Sequence, residues 1–286
     1  MPFLAPRSLT EALELRTAHP AAVPLAGGTD VMVAVNAGQR RPGLLDLTRV
    51  PELRAWAVRD GVVRLGAGVS YARIVRELTG PLPSLSAAAA TVGSAQIRTR
   101  ATVGGNVATA SPAGDGVTPL VAAGAEIELA SVRGTRRIPV ARFAIGPKQT
   151  VLAADELVTA LLVPVRTGPQ AFAKIGGRNA MVIAVANIAV DLRPEHRRVG
   201  VAIGAAAATV RTAPAAAALA ESELDWAGGE PADPGLLREF GALVAAAAAP
   251  IDDVRGTAAY RRHALTVVAR RALGWAWTEY RARDKE

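Results

Sequence analysis

Two double-glycine turns, Gly27-Gly28 and Gly104-Gly105, constrain this 286-residue chain more than any other feature. The first follows a short apolar run at residues 23–25, which reads as a strand. It precedes residues 31–36, which read as a helix or tight turn that Gly38 stops. Glycine has no Cβ, so its backbone reaches positive φ and its N–H can approach a phosphate closely. A helix opening near Thr29 adds unsatisfied amides and a positive dipole end, with the Thr29 hydroxyl as a further donor. An isolated Gly-Gly-Thr is equally an ordinary tight turn, so this segment alone names no ligand.

The second turn, Thr102-Val103-Gly104-Gly105-Asn106, lies within residues 97–115, a run of small residues, hydroxyls and glycines. The expectation there is a long irregular loop, and such loops are usually functional. Ser111 and Asp115 follow at a distance that lets the segment wrap one extended ligand. A carboxylate such as Asp115 suits hydroxyl and amino donors rather than phosphate; its plainer reading is a turn-forming Asp. Neither turn shows Gly-x-Gly-x-x-Gly opening a helix with an acidic residue about twenty positions on, which disfavours a Rossmann NAD domain.

Around these turns the elements alternate. Ser8-Leu9-Thr10-Glu11 has the capping-box pattern and predicts a helix over residues 9–19. Residues 44–47, 56–59 and 62–65 read as strands, the last two joined by a hairpin turn at Asp60-Gly61. Helices are predicted from Ser70 to about residue 78 and over residues 85–91, and a short one past Pro119. Strands at residues 126–130, 136–140 and 156–165 complete a first region, with a boundary at residues 164–169. Residues 171–176, 181–192 and 199–205 read as a three-stranded antiparallel meander, followed by helices at 215–221, 234–248 and 258–281. The class is α+β. Half the residues are hydrophobic but aromatics are only 4%, so small side chains must pack these elements closely.

Several function classes are disfavoured. With no Cys, the polypeptide can form no disulfide, thiolate nucleophile or Cys-ligated iron–sulfur cluster or zinc site. His19, His196 and His263 have no metal-ligand spacing. The net charge of +8 is scattered, without aromatic interleaving or a groove-reading motif, so nucleic acid is not expected. The Arg-rich C-terminal helix, with Arg261, Arg262, Arg270 and Arg271, reads as a solvated face before a partner interface. The N-terminus lacks a basic stretch followed by an apolar core, and the apolar runs at 180–192 and 201–220 are too short or are broken by Arg211 and Pro214. The expectation is a cytoplasmic protein without a membrane span.

Ala26-Gly27-Gly28-Thr29-Asp30, and Thr102 to Asn106 continuing into Ser111-Pro112-Ala113-Gly114-Asp115, together resemble the paired FAD loops of the xanthine dehydrogenase and carbon monoxide dehydrogenase flavoprotein subunits. Gln96-Ile97-Arg98-Thr99-Arg100, Ala154-Asp155-Glu156-Leu157, Phe172-Ala173-Lys174 and Tyr260-Arg261-Arg262-His263 fall in the order that this resemblance requires. It covers nearly the whole chain. It implies a flavin-binding domain of the kind shared with vanillyl-alcohol oxidase (PCMH-type) over residues 1–166, with subdomains at about 1–55 and 56–166. A flavoprotein C-terminal domain of a small antiparallel sheet and helices follows over residues 170–286.

The resemblance also implies residue roles. Leu25, Ala26, Gly27, Gly28, Thr29, Asp30, Val31 and Met32 would hold the FAD pyrophosphate. Thr102, Val103, Gly104, Gly105 and Asn106 would line the flavin and its phosphates, with Ser111 in the same loop and Asp115 on the nucleotide or ribityl portion. Val92, Val158 and Lys174 match further FAD-contacting positions, although Lys174 also reads as a solvated strand-edge lysine. Thr99 stands where the family commonly has Asn and Ala101 where it has Gly, so the backbone entering the second loop should differ slightly. The implied partners are a large molybdopterin subunit and a small subunit carrying two iron–sulfur clusters, assembled as a dimer of heterotrimers. FAD would be the only, noncovalent, cofactor on this chain. Two rivals remain at this point: a self-contained FAD oxidase or reductase of the same fold, such as the UDP-N-acetylenolpyruvylglucosamine reductase type, and a basic binding protein without activity.

Overall fold

The computed structural model describes residues 2–227 and 230–283; residues 284–286, at the end of the expected C-terminal domain, lie outside them. Three larger sheets order the chain, beside a two-stranded pair of Ala144–Gly146 and Gln149–Thr150. The first is parallel, with Leu44–Asp46 between Phe3–Leu4 and Val23–Leu25. The helix Leu9–Ala18 forms where the capping box predicts it: Ser8 Oγ accepts from Glu11 N, and Glu11 Oε2 accepts from Arg7 N. Ala12, Leu45, Leu47 and Leu53 close a small core beneath this sheet.

The second sheet has five antiparallel strands in the order Trp56–Arg59, Val62–Gly66, Leu157–Pro164, Glu126–Ser131, Gly134–Pro139. Asp60 and Gly61, at φ 50° and 70°, form the tight turn that the sequence predicts. The strand that arrives last in the chain takes the centre and is buried along most of its length. Leu65, Ile127, Leu129 and Leu161 of this sheet pack with Ile74, Leu78 and Leu120 of the covering helices.

The third sheet holds Gln170–Ile175, Ala186–Arg193, Arg198–Gly204 and Arg211–Thr212. The predicted meander of three strands thus gains a two-residue fourth strand, too short to carry an alternating pattern of its own. Its second strand begins at Ala186 rather than at 181, because Met181 takes φ 51° and the chain is still turning there. Ala189 and Ala202 meet the core of the first region, while Ile188, Val190 and Val201 meet the helices Pro214–Glu223, Pro234–Ala246 and Ala258–Arg283. The strand 186–193 is buried on both faces, and its polar residues Asn187 and Asp191 are hydrogen-bonded there.

The expectation of one irregular loop over residues 97–115 is corrected. The segment begins with two short helices, Ala95–Arg100 and Val103–Ala108. One hydroxyl of the segment is a helix cap, as Thr102 Oγ1 accepts from Gly105 N, and just ahead of the segment Ser94 Oγ accepts from Ile97 N.

Candidate functional site

Both glycine turns open onto one cleft of about 740 Å³. The first turn packs against the backbone that leads into the second: a Cβ on Gly27 would lie 2.1 Å from the Arg100 carbonyl oxygen, so only glycine lets the first turn sit there. Asp30 Oδ2 accepts from Thr109 Oγ1 at 3.3 Å, a second tie between them. Gly28 holds φ +77°. Gly104 is needed for packing, since its Cβ would meet the Ala67 Cβ at 2.4 Å. Gly105 differs from these. It is helical, and a Cβ there would approach only Thr102 Oγ1, at 3.0 Å, so its bare edge faces the cleft.

Of the residues singled out in the sequence, Ala26, Gly27, Gly28, Thr29, Asp30 and Val31 line the cleft from one side, and Thr102, Gly104, Gly105, Asn106, Ser111 and Asp115 line it from the other. Val92 and Val158 also line it; the sheet register slips between Val158 and Ala160. Leu25, Met32, Val103 and Lys174 are not on the wall. Leu25 and Met32 flank Gly28, within 3.5 Å of where its Cβ would stand. Val103 is fully buried in the core.

Lys174 lies behind the wall and pairs with Asp115. Its Nζ is 2.5 Å from Asp115 Oδ2, and its side chain is only 8% exposed, so it is not a solvated edge lysine. Asp115 Oδ2 also accepts from Thr91 Oγ1, and Oδ1 accepts from Asn187 Nδ2. Burial pushes the Asp115 carboxyl above its ordinary range, opposed by the hydrogen bond and charge of Lys174 and by the bonds from Asn187 and Thr91. Asp115 thus joins the cleft to the third sheet, which carries Lys174 and Asn187.

Tyr71, Arg54, Arg73, Arg100 and Thr109 also line the cleft, and sequence reasoning did not pick them out. Ser70 was legible as the cap of the helix Tyr71–Glu77, but nothing local shows that its first residue turns inward. Val182 and Ile183, from the turn before the strand 186–193, complete the lining from the C-terminal side. Asn106 Oδ1 and Tyr71 OH are buried without a hydrogen-bond partner, which fits a site built to meet a polar ligand. Among the described residues, no cluster of His, Asp or Glu could hold a metal ion. An elongated cleft with glycine-edged backbone, hydroxyls and orphaned polar atoms suits a nucleotide cofactor.

The family model for the FAD binding domain in molybdopterin dehydrogenase matches residues 1–166. The chain belongs to that family. Residues 170–276 match the CO dehydrogenase flavoprotein C-terminal domain, so this molybdopterin dehydrogenase FAD-binding chain is a flavoprotein of an oxidoreductase family, as its paired loops imply. It is 30% identical over 278 residues to the nicotine 6-hydroxylase medium subunit of Paenarthrobacter nicotinovorans, covering 95% of each chain. It is 33% identical over 193 residues to the nicotinate dehydrogenase FAD-subunit of Eubacterium barkeri, a match spanning 64% of this chain and 65% of that one. The carbon monoxide dehydrogenase structure from Hydrogenophaga pseudoflava superimposes with a TM-score of 0.88 at 26% identity, covering 97% of both chains. No described helix of this FAD-binding chain is long and apolar enough to cross a membrane.

Proposed function

We propose that this chain is the electron-transfer subunit of a cytoplasmic molybdenum hydroxylase, holding one noncovalent FAD in the cleft between its two glycine turns. The observation that carries this reading is the contact of Gly27 with the Arg100 carbonyl, which joins two turns far apart in sequence into one ligand-sized cleft. Its domains are residues 1–166, with subdomains at about 1–55 and 56–166, and residues 170–286. When bound, FAD supplies the redox chemistry, collecting electrons from the iron–sulfur clusters of a small subunit for an external acceptor.

The chain's own residues bind and orient the cofactor. The turn from Leu25 to Met32 holds the pyrophosphate through backbone donors and the Thr29 hydroxyl. Thr102 to Asn106 and Ser111 line the flavin side, where the bare edge of Gly105 admits close approach. Val92 and Val158 exclude water. Lys174 contributes through Asp115 rather than by reaching the cleft wall itself. The organic substrate is hydroxylated on a large molybdopterin subunit, and the assembly is a dimer of heterotrimers. Relatives described as medium, FAD or beta subunits support a multi-subunit setting.

The test is co-expression with a candidate large molybdopterin subunit and a candidate small iron–sulfur subunit. The expected product is a yellow complex whose FAD is reduced by substrate, whereas the isolated, FAD-loaded chain hydroxylates nothing. Turnover by the isolated chain would favour a self-contained flavoenzyme, and FAD that stays oxidised while substrate reduces the rest of the complex would break the proposed electron path.

A further inference from the structure

Tyr71 opens the helix Tyr71–Glu77, is fully buried and lines the cleft, yet its hydroxyl has no hydrogen-bond partner. A buried hydroxyl left unpaired is costly, and folded proteins tolerate few of them. Its position is built in. A Cβ on Gly116 would lie 2.1 Å from the Tyr71 oxygen, so the glycine makes room for the phenol tip. On the other side of Asp115, a Cβ on Gly114 would come within 3.3 Å of Asn106 Oδ1, another unpartnered atom of a cleft-lining residue. The segment 114–116 thus carries a glycine beside each unpartnered group, with Asp115 between them held by Lys174, Thr91 and Asn187.

The chemistry left to Tyr71 is donation. Burial, with the Asp115 and Asp30 charges nearby, pushes its phenol well above the ordinary value, so the group stays protonated at any working pH. Among the described residues, no side chain or backbone oxygen accepts that proton. We propose that Tyr71 is a cofactor-binding residue whose hydroxyl donates a hydrogen bond to an acceptor oxygen of the bound flavin nucleotide. This rests on the reading of the cleft as the FAD site and adds to it a residue that neither glycine turn contains.

Tyr71→Phe in the full chain tests the assignment, because it removes one oxygen and leaves the ring. Apoprotein is titrated with FAD, and Tm is measured with and without it. The expected result is FAD affinity weaker by about 3- to 10-fold, the loss of one hydrogen bond. The apoprotein Tm should be unchanged or raised, because the hydroxyl has no partner there to lose. Unchanged FAD affinity overturns the proposal; with it, a lower apoprotein Tm would mean that the hydroxyl is bonded inside the fold. Wild-type chain that binds no FAD would instead sink the reading of the cleft, and this inference with it. If the variant fails to fold, or loses both Tm and affinity, the three tyrosines of the chain permit a second measurement by 3-fluorotyrosine labelling. The buried resonance, identified with Tyr260→Phe and Tyr280→Phe, must shift when FAD is added; an unmoved resonance overturns the assignment.

Discussion

Lys174 on the first strand of the C-terminal sheet and Asp115 in a loop that lines the cleft form an ion pair at 2.5 Å, with both side chains under a tenth exposed. Removing one member of such a pair strands the other charge, whereas removing both does not. Lys174→Met should therefore lower unfolding free energy by about 3–5 kcal/mol at neutral pH, and adding Asp115→Asn should restore much of it. Urea unfolding of the three proteins checks this. The Asp115 carboxyl is already raised by burial, and losing Lys174 raises it further. A carboxyl whose folded pKa lies above its unfolded value favours the folded state at low pH, and that contribution is lost as pH rises through the folded value. The deficit of Lys174→Met should accordingly shrink as pH is lowered. A deficit that grows on acidification contradicts the account.

Gly27 and Gly105 should respond differently to substitution. A Cβ on Gly27 meets the Arg100 carbonyl at 2.1 Å, so Gly27→Ala should force the turns apart and cost about 1–3 kcal/mol of stability. Gly105→Val meets no backbone and is not at positive φ, contrary to what a tight glycine turn suggests. Its side chain should fill the cleft, abolish FAD binding and leave the far-ultraviolet circular dichroism unchanged. A well-folded Gly105→Val with wild-type FAD affinity would mean that the second turn is purely structural.

Glu77 accepts hydrogen bonds from Arg73, from the Trp56 indole and from Arg76, which together hold its carboxyl down at about 2. Its folded pKa lies below the ordinary glutamate value of 4.5, so its contribution is complete above that value and is lost as pH falls from there toward about 2. Glu77→Gln should flatten that part of the stability profile, and the Glu77 carboxyl carbon should titrate near the lower value in an NMR experiment. Titration at the ordinary glutamate value would show that the three-donor clamp does not persist in solution.

The flavin should be noncovalent. The chain has no Cys, and among the described residues no His lines the cleft, so neither common side-chain tether is in reach. Acid or heat should release the flavin, and the denatured polypeptide should show its unmodified mass. Yellow colour that stays with the denatured chain would rule this out.

Features that depend on neighbours in sequence are legible from the chain alone. The Ser8 and Ser70 caps, the Asp60-Gly61 hairpin and the Gly28 turn each follow from groups a few residues apart, and all form as their chemistry requires. The family is legible for the same reason, since both glycine loops are continuous strings of residues. Contacts made across long stretches of chain are not. A short apolar run marks Leu157–Pro164 as a strand but cannot say that it inserts between Val62–Gly66 and Glu126–Ser131. The Ser94 and Thr102 caps are as local as those of Ser8 and Ser70, but the glycines and hydroxyls of residues 97–115 give the segment the composition of a loop and hide them. Lys174 can be named from the sequence, but its burial against Asp115 arises only when the C-terminal sheet packs on the first region. Tyr71 gives no signal at all, because a tyrosine after a helix cap is ordinary, and only the fold buries its hydroxyl in the cleft wall where no described residue accepts its proton.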